Sequence, residues 1–146
     1  MTTPDIFVRN VQRKIHVNVA ELQDFAAKAV RKSLQVHEEK KTDLRKLHEV
    51  FVWLISDRRM ASLQRKFMHQ TGPTDVLTFQ HGEIFISVET ARRNARAFGS
   101  SLTGELRLYV VHGLLHLQGF DDRAQPGARK MKRVQQRILR NCSGDR

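Results

Sequence analysis

The apolar stretch from Leu106 to Leu117 limits the folds open to this chain more than any other segment. Leu106, Leu108, Val110, Val111, Leu114, Leu115 and Leu117 are spread around the whole circumference of a 3.6-residue helix. A helix over 103–118 must therefore be enclosed by other layers on nearly every side. His112 and His116 interrupt it four residues apart, which on a helix stacks them on one face. Such a pair is either two satisfied core histidines or two metal ligands. Gly119 can take the left-handed conformation that ends a helix, and the chain can then return the carboxylate of Asp122 to the same centre. The pattern is HxxxHxxGxxD.

Two imidazoles and one carboxylate around a divalent ion, with a position left for water, describe a catalytic zinc site rather than a closed structural one. His112, His116 and Asp122 are the expected metal ligands. Imidazole donors favour zinc, while the carboxylate leaves manganese or nickel open. A ligating histidine gives its second ring nitrogen to a partner. Asp121, adjacent to the site, and Glu105, seven residues before His112, are candidates for that role, Glu105 equally reading as a first-turn acid favoured by the helix dipole. His69 and His81 read as surface histidines. A zinc ion acidifies water and polarises a phosphoryl oxygen, which suits phosphodiester hydrolysis. The same ligand spacing occurs in zinc peptidases, but those need a glutamate directly after the first histidine. This chain has Gly113 there.

A formal net charge of +11 over 146 residues favours a polyanionic partner, with nucleic acid first. The clusters expected to meet a nucleic-acid backbone are Arg65 and Lys66, then Arg92, Arg93 and Arg96, then Lys130, Arg133 and Arg137, within a last helix that also carries Lys132 and Arg140. No run of about 18 apolar residues is present to span a membrane, and the first residues lack the layout of a signal peptide. Cys142 is the only cysteine, so no internal disulfide forms and no disulfide-linked partner is expected. A cytoplasmic location fits.

The length is that of one domain, and residues 1–146 read as one without repeat or linker. Residues 6–10 form a short β-prone run, and 19–34 an amphipathic helix through Leu22, Phe25, Ala26, Ala29, Val30 and Leu34. Residues 37–48 mix both charges and read as a solvated connection or helix extension. Residues 50–56 form a continuous apolar run, expected to be a central strand buried on both faces. Asp57 is expected to cap a helix reaching about 68. Residues 73–79 and 83–87 read as a hairpin around Gln80, His81 and Gly82, and Ser87 as the cap of a helix over 88–98. Pro126 opens a last helix with Met131, Val134 and Ile138 as its apolar stripe, and 141–146 read as a frayed tail. The order predicts an α+β domain: about four strands in a mixed sheet, flanked by helices, with the metal site on the buried helix and the loop after it.

At the histidine segment the chain resembles the YbeY family of metal-dependent endoribonucleases. From His112 to Asp121 it matches that family's H-G-x-L-H-L-x-G-[YF]-D-H at every specified position, and Asp122 stands where the family has its third histidine. Upstream, Pro73-Thr74-Asp75-Val76-Leu77-Thr78-Phe79 is similar to the family's P-T-D-V-L-S-F, so the likeness spans about residues 50–140. It implies an α+β metallohydrolase acting on single-stranded RNA in maturation and quality control of small-subunit ribosomal RNA, with the ribosomal small subunit as partner. The family's Y-R before this strand corresponds to Phe67 and Met68, so the cleft arginine has no counterpart. That leaves a ribosome-associated RNA-binding factor with a structural or vestigial metal as the alternative, with a zinc peptidase behind it.

Overall fold

The computed structural model describes residues 3–36, 44–68, 74–120 and 125–143. Its elements run β1 (Asp5–Asn10), α1 (Val19–Leu34), a 3-10 turn (Leu44–Lys46), β2 (Glu49–Ile55), α2 (Asp57–Leu63) continued by a π-helical turn (Gln64–Met68), β3 (Val76–Phe79), β4 (Glu83–Ser87), α3 (Val88–Phe98), α4 (Leu102–Leu117) and α5 (Gln125–Ser143). The strands form one sheet in the order β1-β2-β4-β3. β2 lies parallel to both β1 and β4, and β3 closes one edge antiparallel to β4. The expected α+β architecture, a mixed four-stranded sheet flanked by helices, is the one observed.

Strand side chains alternate between faces, and the two faces have different cover. Ile6, Val8, Val50, Val52, Leu54, Ile84 and Ile86 enter a continuous core with Leu22, Phe25 and Ala29 of α1, most of α4, and Met131, Val134, Ile138 and Cys142 of α5. On the other face Phe51, Trp53 and Phe85 are only half-buried. There Ile55, Met60 and Leu77 form a smaller cluster under α2. β2 is therefore central but not buried on both faces as expected. Its aromatic residues stand on the side where α2 covers one end of the sheet, and ring-on-ring stacking from Phe7 through Phe51 and Trp53 to Phe85 takes the place of helix cover.

The free edge of β1 is occupied by a side chain. Gln23 of α1 accepts from the Val8 amide and donates to the Ile6 carbonyl, both at 2.7 Å, as a neighbouring strand would.

Two caps differ from expectation. Ser56, not Asp57, caps α2, accepting from the Arg59 amide. Ser87 makes no side-chain cap to α3, because its hydroxyl donates to Asp57 at 2.5 Å instead. Asp57 also accepts from Thr90 and pairs with Arg93 at 2.7 Å, while its own amide donates to Glu89. These bonds tie the starts of α2 and α3 together at the ends of parallel neighbours β2 and β4. Residues 141–143, read as part of a frayed tail, are helical: α5 continues to Ser143, with Cys142 buried in the main core, while 144–146 lie outside the described residues. Leu44, within the segment read as solvated, is fully buried, while 37–43 lie outside the described residues.

Candidate metal centre

α4 packs onto β4 at Gly113, where no side chain would fit. A Cβ on Gly113 would sit 2.8 Å from both Cδ1 and Cγ2 of Ile84 on β4, inside the separation any side chain tolerates. The residue after the first histidine is thus held against the sheet by packing. The helix ends in a Schellman arrangement: Phe120 donates its amide to the Leu115 carbonyl at 2.9 Å, and Gly119, at φ 105°, donates to His116 at 3.1 Å. Phe120 is buried, which anchors the end of the helix one turn past His116.

His112 and His116 project from one face of α4, half-buried, with ring centroids 4.6 Å apart at 78°. Their Nε2 atoms are 3.0 Å from each other. Two nitrogens bound to one zinc at about 2.0–2.1 Å in tetrahedral geometry lie about 3.3 Å apart, so this donor pair fits a shared ion with a small adjustment. The rings open into a cavity of about 160 Å³ also lined by Val76, Leu77, Thr78 and Gln80. The two segments singled out from sequence, β3 and the histidine helix, therefore form opposite walls of one cleft.

The other ring nitrogen of His112, Nδ1, lies 2.5 Å from Oε1 of Gln135 on α5. This residue escaped the sequence reading. The available signal was its position: Met131, Gln135, Ile138 and Cys142 fall at 4-3-4 spacing, which places a glutamine in the buried stripe of an otherwise charged helix. Glu105 is engaged elsewhere, accepting from the Ser100 hydroxyl at 2.8 Å near the start of α4. Next to it Tyr109 accepts from the Asn94 amide at 2.7 Å. Burial, with the negative charges of Asp75 and Glu105, pushes the Tyr109 hydroxyl far up, so it stays a neutral anchor between α3 and α4. His81 pairs with Glu83 at 2.6 Å and stacks on Phe79, on the aromatic face and away from the histidine pair. Asp121, Asp122 and His69 lie outside the described residues. Among the described residues, no group of three or more His, Cys, Asp or Glu side chains could hold an ion.

The basic residues divide between the two sides. Arg65 and Lys66 are exposed on the π-helical turn, Lys66 above the ring of Phe67, which meets Phe79 edge-on on the aromatic side. On α3, Arg92 and Arg96 are exposed, and Arg93 is engaged with Asp57 and Thr90. α5 exposes Arg133 and Arg137 along a shallow concavity of about 710 Å³. Lys130, on the same helix, sits with its ammonium 5.6 Å above the ring of Phe120. Positive charge is thus placed where the chain leaves the histidine helix. Among the described residues, no helix is long and apolar enough to cross a membrane.

A family model described as Endoribonuclease YbeY matches residues 7–143. A Thermus thermophilus protein named Endoribonuclease YbeY is 40% identical over 102 residues, which cover 62% of this chain and 73% of that one. A Synechococcus protein of the same name is 40% identical over 100 residues, covering 58% and 60%. The solution structure of a Thermotoga maritima protein superposes with a TM-score of 0.66 at 26% identity, over 96% of this chain and 90% of that one.

Proposed function

The chain belongs to the YbeY family, and from that premise we propose that it is a metal-dependent endoribonuclease cutting single-stranded RNA in the maturation of small-subunit ribosomal RNA. The observation that carries this reading is the convergence of the two Nε2 atoms, 3.0 Å apart, in the cleft under β3. His112 and His116 hold the ion, and Asp122 supplies the third donor. When bound, zinc supplies Lewis acidity to a phosphoryl oxygen and lowers the pKa of a water. The protein's own part is to place the phosphodiester. The cleft is smaller than the roughly 300 Å³ at which ligand pockets begin, so it takes a phosphate group and leaves the bases outside. Lys130, Arg133 and Arg137 on α5, with Arg92 and Arg96 on α3, track the backbone on either side. The ribosomal small subunit is the partner and the cytoplasm the compartment that this reading implies.

Gly113 weighs against a zinc peptidase. A glutamate there would have its Cβ within 2.8 Å of Ile84, so a general base cannot be supplied from that position without moving α4 off the sheet. Phe67 and Met68, in place of the resembled family's tyrosine and arginine, favour the second reading, an RNA-binding factor in which the ion is structural.

The experiment is cleavage of single-stranded RNA by purified protein. Cleavage abolished by chelator, restored by zinc and absent from a folded His116→Ala variant supports the nuclease. RNA binding without chelator-sensitive cleavage supports the binding factor. Affinity should fall steeply with salt, log–log slope near −0.7 per phosphate contact, as counterions are released.

A further inference from the structure

We infer that Gln135 is a positioning residue that fixes the ring and tautomer of His112 for ion binding; the inference rests on the reading that His112 and His116 hold a metal. Nε2 of His112 faces Nε2 of His116. To offer a lone pair there, the neutral imidazole must carry its proton on Nδ1. That N–H points to α5, where the acceptor is the amide oxygen of Gln135 at 2.5 Å. Gln135 is only 8% exposed and sits between Met131, 1%, and Ile138, 2%, on the buried stripe of α5. A polar side chain enclosed in this way requires a hydrogen-bonding partner, and His112 is that partner. The two residues are on different helices, 23 positions apart, so the packing of α5 on α4 sets the angle of the ring.

The choice of an amide has a chemical consequence. Ligating histidines commonly use a carboxylate or carbonyl for this bond. A carboxylate makes the imidazole a stronger donor but adds negative charge to a site that must accept a phosphodiester anion. The neutral amide orients the ring and leaves the charge at the cleft to the ion and the basic helices. Gln135→Glu should therefore separate two properties that a purely structural residue would move together: zinc should bind at least as tightly, while RNA should bind more weakly to the zinc-loaded protein.

The test uses the full chain with zinc alone as probe, by competition with a chromophoric chelator and by nitrogen-15 spectra of the histidine side chains. Gln135→Leu is expected to lower zinc affinity about 10–100-fold and to turn the slowly exchanging Nδ1 proton of His112 into a fast-exchanging one. Gln135→Glu is expected to keep affinity at or above the parent's and to retain that proton. Parent-like zinc affinity and a protected proton in Gln135→Leu overturn the inference. If Gln135→Leu does not fold, Gln135→Glu decides alone, since weakened zinc binding in it overturns the inference. If the parent binds no zinc, or His116→Ala binds it like the parent, the metal reading itself fails and the inference falls with it.

Discussion

On β4 the side chains of Ile84 and Ile86 enter the aliphatic layer beneath α4, while Glu83 and Phe85, one residue along, stand on the opposite face with Trp53 and Phe79. The first face is largely buried, filled by branched aliphatic residues and covered by helices. The second is made of rings that stack on one another, tethered by the Trp53 indole donating to Glu83 at 2.8 Å, with α2 over one end. A histidine pair held in one geometry needs rigid walls, and the covered face supplies them: Gly113 lets α4 rest on Ile84, β3 closes the cleft, and α5 reaches His112 through Gln135. The aromatic face is more exposed and is expected to tolerate change better.

Ile84→Ala probes that difference most strongly. Ile84 is fully buried, and losing its side chain should cost about 3–5 kcal/mol. Phe85→Ala, on the half-buried face next to it, should cost less, about 2 kcal/mol, because a ring already part-exposed leaves a smaller cavity. Urea unfolding of both variants checks the order, and equal losses would remove the basis for treating the faces as different.

Gly113→Ala comes next. Its Cβ would overlap Ile84 by contacts of 2.8 Å, and overpacking of this kind costs about 1–3 kcal/mol. Because the strain is relieved by lifting α4, zinc affinity should drop as well. Adding Ile84→Val should recover part of both losses, whereas additive destabilisation in the double variant would show that the two residues do not press on each other.

Much of this arrangement was legible in the sequence because it follows from period and type. The all-round apolar character of 106–117 required a buried helix, and the offset between His112 and His116 required one face. What was missed depended on contacts between distant segments. Nothing local in Val50-Phe51-Val52-Trp53 says which of the alternating sets lacks a helix above it. The spacing of Glu105 from His112 allowed a role beside the ring, but the carboxylate turned to Ser100, just before the helix start, and a glutamine from the last helix took the place. The caps were exchanged for a similar reason. Asp57 and Ser87 are both competent N-cap residues, and only the parallel neighbouring of β2 and β4 brings them close enough to bond each other.

That exchange yields the smallest and most pH-specific prediction. Burial opposes charge on Asp57, but hydrogen bonds from Arg93, Ser87 and Thr90 with the Arg93 charge outweigh it and hold the carboxyl below its ordinary value of 3.8. A depressed folded value means the unfolded chain takes up its proton first as pH falls. The stabilisation is therefore complete well above 3.8 and is lost as pH drops through the folded value. Asp57→Asn keeps an oxygen for the two hydroxyls and loses the ion pair with Arg93, whose side chain is 57% exposed, so the cost at neutral pH should be about 1 kcal/mol. The difference in urea midpoint between parent and variant should stay flat from about pH 7 to 5 and close below about pH 4, the region where an ordinary aspartate titrates. A gap that persists unchanged at pH 3 would mean that the geometry of the junction between α2 and α3, rather than the charge on Asp57, joins these helices beside the aromatic face.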